Sequence, residues 1–334
     1  MSSVNYTSKI AVVIPSYRVK AHILDVIREI PSCVSKIYVV DDCCPDRSGD
    51  FVSEQCTDPR VEVVRNATNM GVGGAVMAGY KAAIEQGMEI LVKIDGDGQM
   101  DPKLLPSFIE PIANGEADYT KGNRFFSLEQ IGAMPGIRIF GNAALSFLTK
   151  ISSGYWDIFD PTNGYTAIHA DVARQIPFQK ISRRYFFETD ILFRLNTLRA
   201  VVLDIPMDAK YADETSNLKI SKILGEFLLK HLRNLSKRIF YNYYLRDLSL
   251  ASFELPLGIV LIIFGVIFGS IRWIGGLQSG IANPTGTIML AAISILLGTQ
   301  IILAFIGHDI ASVPQKPLHK RLKTFNLLHR QPYK

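Results

Sequence analysis

Two apolar runs, residues 255–274 and 287–306, constrain this chain more than any other feature. The first carries no charge before Arg272 and the second carries none at all. Each reaches the roughly 20 residues that a helix needs to cross the hydrocarbon of a bilayer, and core helices are rarely so uniformly apolar over that length. The connector, 275–286, is short, uncharged and rich in Gly, Asn and Pro, so the two runs are expected to form a hairpin. Basic residues crowd both outer flanks, from Lys230 to Arg246 and from Lys316 to Lys334. By the positive-inside rule both flanks, and so both termini, belong in the cytoplasm. The expectation is an integral membrane protein, placed in a bacterial inner membrane. Just upstream, Ile223, Phe227, Leu228, Leu232, Leu235 and Ile239 keep a helical stripe, with Lys230, Arg233, Lys237 and Arg238 around it. Such a helix suits a headgroup layer, though an ordinary surface helix would show the same pattern. Gly265 and Gly269 form a G-x-x-x-G pair that would permit close helix approach, and hence a homo-oligomer.

With those spans set aside, the 334 residues leave one large water-soluble unit. The expected division is 1–215 for that domain, 216–250 for amphipathic juxtamembrane helices, 251–310 for the hairpin and 311–334 for a basic tail. A net charge of +5 with 20% charged residues makes nucleic acid an unsuitable partner; the late basic residues point to an anionic membrane surface instead. Cys33, Cys43, Cys44 and Cys56 show no C-x-x-C spacing and no histidine cluster beside them, so reduced thiols are expected rather than zinc. Residues 1–9 are polar and the apolar run after them stops at Pro15, too short for a signal peptide.

Along the soluble part, short β-branched runs at 10–14, 36–40, 61–64 and 90–94 alternate with helical patterns at 22–30 and 75–86. That alternation predicts an α/β fold: an open, mostly parallel, Rossmann-like sheet flanked by helices. Ligands of such sheets sit beyond the carboxyl ends of the strands, where Tyr17, Asp41, Asp42, Asn69, Asp95 and Asp97 would all gather. The fourth run ends in Asp95-Gly96-Asp97-Gly98-Gln99. Alternation puts the two carboxylates on one side, and with the Gln99 amide they make a hard, oxygen-rich corner suited to Mg2+ or Mn2+. An isolated D-x-D is at least as often a solvated turn. The turn Asn69-Met70-Gly71-Val72-Gly73-Gly74 lacks both the dinucleotide and the Walker spacing, so it supports only a tight turn into a helix. Lys121-Gly122-Asn123-Arg124 is expected to follow a strand; Arg124 and Arg138 are guanidiniums able to fork onto phosphate oxygens, or else solvated surface groups. Asp160-Pro161-Thr162-Asn163-Gly164-Tyr165 is a turn carrying a carboxylate. Glu188 and Asp190 open a core helix, where a helix dipole favours acidic residues.

In this order and spacing, Val13-Ile14-Pro15-Ser16-Tyr17, Val39-Val40-Asp41-Asp42 with Asp46, Asn69-x-Gly71, Asp95-Gly96-Asp97-Gly98-Gln99, Gly122-Asn123-Arg124 and Asp160 to Tyr165 resemble the family-2 inverting glycosyltransferases of the GT-A fold. The likeness is strongest to the membrane-attached group of dolichyl-phosphate mannose synthases and bacterial polyprenyl-phosphate glucosyltransferases. It covers about residues 9–215, and the hairpin extends it. The resemblance implies that Pro15, Tyr17, Asp41, Asp42, Asn69, Gly71 and Asp95 bind the nucleotide sugar, with Asp41 and Asp42 on base and ribose. Asp95, Asp97 and Gln99 match the metal corner; Arg124, Arg138 and Asn142 match positions that meet acceptor phosphate; Asp160, Asp97 and Arg124 would be catalytic. Asp160, Glu188 and Asp190 all stand as candidates for a base. The implied reaction is inverting transfer of one hexose, UDP-glucose being the favoured donor, to a polyprenyl phosphate such as undecaprenyl phosphate, serving a cell-envelope polysaccharide. A processive synthase of the same fold normally carries Q-x-x-R-W in the soluble domain, whereas the Arg-Trp pair here, Arg272-Trp273, ends the first span. A non-catalytic, membrane-tethered sugar-nucleotide-binding protein would not need Asp95, Asp97 and Asp160 together.

Overall fold

The computed structural model describes residues 8–126, 136–208 and 220–329, without the side chains of 137–138, 220–224 and 324–329. It divides into two compact units, one of residues 1–235 with 314–334 and one of 236–313.

The first unit is built on seven strands: β1 (Ile10–Ser16), β2 (Lys36–Asp41), β3 (Val61–Arg65), β4 (Ile90–Lys93), β5 (Tyr119–Asn123), β6 (Thr166–His169) and β7 (Val202–Pro206), in the order β3-β2-β1-β4-β6-β5-β7. β1 pairs in parallel with both β2 and β4, while β6 runs antiparallel between β4 and β5. Ile10 to Ile14 are wholly buried, as an unbroken β-branched run in a two-sided sheet requires. The expected α/β sheet is therefore present, with one reversed strand. The order turns back on either side of β1, so the crevice beyond β1, β2 and β4 is the place for a ligand.

Helices flank the sheet: α1 (Ile23–Glu29), α2 (Ser48–Gln55), α3 (Gly71–Glu85), α4 (Leu105–Ala113), α5 (Gly136–Ser153), α6 (Ala170–Ala173) and α7 (Phe187–Leu198); α8 (Ile220–Phe240) begins in the first unit and ends in the second. Two expectations are corrected. α3 begins at Gly71, so the glycine stretch is its first turn and not a separate loop. Lys121-Gly122-Asn123 lies inside β5, since Lys121 is fully buried and its ammonium donates to Asn163 O.

The first unit also takes in the chain from Pro314, including α11 (Leu318–His329), here numbered after the two helices of the second unit. Asp118, fully buried, accepts from Leu318 N at 2.7 Å, His319 N at 2.8 Å and His319 Nδ1 at 2.6 Å. Burial would raise this carboxyl, but those bonds and one from Val201 N outweigh it and hold it below the usual carboxylate range.

Two imidazoles, His231 buried and His169 partly so, make this unit acid-sensitive. His169, stacked on His319 with ring centres 4.3 Å apart, is held down to about 4 by burial and then by repulsion from His319. Burial does the same to His231, also about 4, whose Nδ1 lies 2.8 Å from Ser152 Oγ. Unfolding returns each to about 6.5. The unfolded chain then takes up protons first, so this contribution is complete above about pH 6.5 and is lost as pH falls towards 4. The thermal midpoint of the detergent-solubilised protein should drop through that window, and His231→Gln should make the drop shallower. A midpoint that stays constant there would refute the assignment.

The second unit contains α9 (Leu250–Ser279) and α10 (Thr285–Ala311). Both are long and apolar enough to cross a membrane, and only 22% and 17% of their most apolar stretches is buried, which separates them from core helices. They are longer than the sequence runs, and the connector shrinks to residues 280–284. Glycines set their mutual approach: a Cβ on Gly258 would lie 2.7 Å from Ile302, and one on Gly265 2.7 Å from Ile295. Gly269 faces Ala291 across the same seam. The G-x-x-x-G face is thus used inside the hairpin, which removes the reason for reading it as an oligomer contact. Arg238 binds Asp309 through both nitrogens, at 2.6 and 3.0 Å, and Tyr243 Oη donates to the same carboxylate at 2.6 Å.

Candidate active site

A cleft of about 520 Å³ opens beyond β1, β2 and β4. Pro15, Ser16 and Tyr17 enter from the end of β1, Asp42 from the end of β2, and Asp95, Gly96 and Asp97 from the end of β4. Asn69, Gly71, Val72 and Ala75 come from the start of α3; Val19, Arg184 and Tyr185 complete the lining. Seven residues predicted for the donor or metal are therefore brought together: Pro15, Tyr17, Asp42, Asn69, Gly71, Asp95 and Asp97.

Two predicted donor and metal residues are not in that lining. Asp41 turns inward: its oxygens accept from Cys44 N at 2.8 Å and Gly49 N at 2.7 Å, fixing the loop into α2. Gln99 contributes its backbone N–H, which donates to Asp97 Oδ1 at 3.0 Å. Asp42, although in the lining, spends its carboxylate on Asn66 Nδ2, Met70 N and Gly71 N, at 2.7–2.8 Å. That places an anion at the N-terminus of α3, where the helix dipole favours it.

Arg184 and Tyr185 were not assigned a site role from the sequence, and nothing local marks them. They reach the cleft because α3 starts on glycines. Gly73 N donates to Arg183 O at 2.9 Å, and a Cβ at Gly73 would lie 2.6 Å from Ser182 O and 2.8 Å from the Phe187 ring. Gly71 holds φ +77°, and a Cβ there would lie 2.5 Å from Arg183 O. Backbone on backbone at that range tolerates no side chain. Gly73→Ala should push the 182–185 segment back and raise the donor KM by about tenfold or more, with a smaller change in kcat. Steady-state kinetics against donor concentration checks this, and an unchanged KM would detach Arg184 and Tyr185 from donor binding.

The carboxylate corner rests on a buried lysine. Lys93, 1% exposed, lies 2.8 Å from Asp95 Oδ1 and 4.0 Å from Glu188 Oε1, and donates to Gly164 O at 3.0 Å. Burial alone would discharge it, but Asp95 and then Glu188 outweigh burial and keep it charged. Burial raises Glu188 in turn, with Lys93 opposing. Gly164 packs so closely that a Cβ there would lie 2.3 Å from Lys93 Nζ and 2.9 Å from Asp95 Oδ2. The 160–165 turn is thus pressed against the corner. Burial brings the second buried lysine, Lys121, down to about 8, with Asp160 and Glu188 opposing.

Asp160 is fully buried and bound by Arg124: Nε at 2.8 Å and backbone N at 3.3 Å to Oδ2, and Nη2 at 3.1 Å to Oδ1. Burial would raise its carboxyl, but the Arg124 bonds and charge prevail and hold it below the usual range. A carboxylate so held is a poor proton acceptor at neutral pH and a good anchor for a guanidinium. Glu188 and Asp190 both fall in the first turn of α7 and neither lines the cleft. Asp190 instead accepts from Ser182 N at 2.8 Å and Arg194 at 3.3 Å. Asn142 lines a separate apolar hollow of about 260 Å³ with Phe125, Phe147 and Phe159; the Arg138 side chain lies outside the described residues.

Asp95 and Asp97 fit a hard divalent cation. Both line the cleft, their donors are oxygens only, and Gly98 at φ +79° lets the chain curl around them. Among the described residues no third His, Cys, Asp or Glu joins them in a metal-holding group, so substrate oxygens or water would complete the shell.

Residues 11–176 match the family described as Glycosyl transferase family 2. The undecaprenyl-phosphate mannosyltransferase of Micrococcus luteus is 31% identical over 201 residues, covering 60% of this chain and 82% of that protein. The UDP-N-acetylglucosamine–dolichyl-phosphate N-acetylglucosaminyltransferase of Methanococcus voltae is 26% identical over 218 residues, 61% of this chain and 86% of that one. Glucosyl-3-phosphoglycerate synthase from Mycobacterium tuberculosis, solved with Mn2+, UDP and glucosyl-3-phosphoglycerate, shares the fold at TM-score 0.52 and 18% identity, over 70% of this chain and 80% of that chain.

Proposed function

The chain belongs to glycosyl transferase family 2, and from that membership we propose that it transfers one hexose, with inversion, from a nucleotide sugar to a polyprenyl phosphate at the cytoplasmic membrane face. The observation that carries this is the Asp95–Asp97 pair lining a cleft at the turning point of the sheet, in a chain with two helices able to span a bilayer. The relatives named above act, by their names, on undecaprenyl and dolichyl phosphate, which supports a lipid phosphate acceptor. Their sugars differ, mannose in one and N-acetylglucosamine in the other, so the acceptor class is better supported than the donor. UDP-glucose is the donor we put forward, on the ground that UDP occupies the structurally similar synthase.

The acceptor oxygen is already anionic at neutral pH and needs no strong base, which suits an Asp160 committed to Arg124. Arg124, anchored by that carboxylate, does not line the cleft itself, but a guanidinium so held suits a phosphate oxygen. Tyr17 and Tyr185, 43% and 60% exposed at the cleft, offer faces for the base. Mg2+ or Mn2+ at Asp95 and Asp97 would stabilise charge on the departing diphosphate. Leu318 and His319, beyond the second span, bond to Asp118, before the first, which supports both flanks lying on one side of the membrane.

The test is incorporation of radiolabelled sugar into the lipid fraction, with polyprenyl phosphate, Mn2+ and UDP-glucose, UDP-N-acetylglucosamine or GDP-mannose in parallel. Label entering the lipid from one donor establishes the reaction and its sugar. No label in the lipid from any of them, with folded protein, sinks it.

A further inference from the structure

We propose that Lys93 is a built-in counter-cation of the carboxylate corner: a positioning residue that holds Asp95 and keeps the corner from binding a divalent ion strongly unless a nucleoside diphosphate arrives with it. This rests on reading Asp95 and Asp97 as the metal corner.

Lys93 ends β4 after Ile90, Leu91 and Val92, on one of the most buried strands of the sheet. A lysine there is costly, and an apolar residue of similar volume would serve packing at least as well. Its ammonium is fixed from three directions: Asp95 Oδ1 at 2.8 Å, Gly164 O at 3.0 Å and Glu188 Oε1 at 4.0 Å. The Gly164 carbonyl and Glu188 would keep it in place whether or not Asp95 turned towards another cation. Its positive charge therefore stays within a few ångströms of whatever Asp95 binds. Like charges at such range, shielded from solvent on one side, repel strongly.

The corner is short of negative charge for a second reason. Among the described residues no third His, Cys, Asp or Glu joins Asp95 and Asp97 in a metal-holding group, and Glu188, the further carboxylate beside Lys93, does not line the cleft, so a divalent ion would rely on two carboxylates, one of them already paired with Lys93 at 2.8 Å. A nucleoside diphosphate brings several negative oxygens and reverses the balance. Lys93 thus links metal retention to the presence of nucleotide, and ties both to the 160–165 turn through Gly164 O.

Mn2+ binding to the full-length protein in detergent, followed by electron paramagnetic resonance with and without UDP or GDP, tests this. The wild type should bind Mn2+ weakly alone and at least about tenfold more tightly with a nucleoside diphosphate. Lys93→Met should bind Mn2+ alone about tenfold or more tightly than the wild type, a gain that structural damage would not produce. Lys93→Arg should behave as the wild type. Lys93→Gln retains a donor for Gly164 O and serves if the methionine variant fails to unfold cooperatively. Neutral variants that bind Mn2+ alone no better than the wild type overturn the role of Lys93, as does a wild type that binds equally tightly without nucleotide. A wild type that takes up no Mn2+ even with UDP or GDP sinks the metal corner itself, and this proposal with it.

Discussion

Asp97→Asn is expected to reduce transfer of sugar to lipid by on the order of a thousandfold while leaving the thermal midpoint unchanged. The two halves of that expectation have separate causes. Structurally, Asp97 Oδ1 accepts from Gln99 N at 3.0 Å in the turn after β4, and an asparagine Oδ1 accepts equally well. Gly98 at φ +79° sets the turn regardless of the side chain before it. Chemically, the substitution removes one of the two carboxylates of the metal corner, and an amide is a far weaker partner for a hard cation. Asp41→Asn makes the contrast. Its carboxylate receives Cys44 N and Gly49 N in the interior, so an amide presents N–H to a backbone donor at one of them. That variant should lose about 1–3 kcal/mol of stability, with turnover per folded molecule nearly intact. Initial rates at saturating Mn2+, paired with thermal melts of both variants, check the contrast. Normal turnover by Asp97→Asn would remove the metal from this corner.

The same contrast shows how the sequence conveyed the site. Strand ends were legible because the short apolar, β-branched-rich runs at 10–14, 36–40 and 90–94 fit buried strands, and whatever follows them lies at the crevice. The spans were legible for the same reason at larger scale. Direction within the crevice was not legible: Asp41 and Asp42 are adjacent, yet one turns to the loop into α2 and the other to the start of α3. The glycines at 71–74 looked like a turn because glycine disfavours helix interiors, and only the distant 182–184 backbone explains them inside a helix. Arg184 and Tyr185 escaped notice because that same long-range contact puts them in the cleft. Lys121 read as a loop residue because a charged side chain argues against burial; its partner, Asn163 O, is 42 residues away. The reversed strand β6, four residues long, carries no pattern that tells its direction.

Asp160→Asn carries the other large expectation, and its cause is indirect. Asp160 is fully buried, and Arg124 supplies it with two side-chain bonds and one backbone bond. Neutralising it leaves a guanidinium without its anchor and removes the carboxylate that most offsets the burial of Lys121. Breaking a buried pair from one side costs about 3–5 kcal/mol, and the Arg124 side chain, 33% exposed, can turn to water, which brings the expected loss towards the lower end. Because Arg124 holds the Asp160 carboxyl below its unfolded value, the contribution is present above about pH 4 and lost as pH falls through the folded value, so the variant should be less stable than the wild type at neutral pH and converge on it in acid. For catalysis, a residue that acts by placing Arg124 and one that acts as a base predict different double mutants. If Asp160 works through Arg124, Asp160→Asn, Arg124→Gln and the double variant should all lose activity to a similar degree, about a hundredfold, because the second change removes nothing that the first left intact. A base would instead give losses that multiply. Transfer rates of the three variants, measured at neutral pH below their melting temperatures, separate the two. Multiplicative losses would return Asp160 to proton transfer and leave Arg124 an independent phosphate ligand.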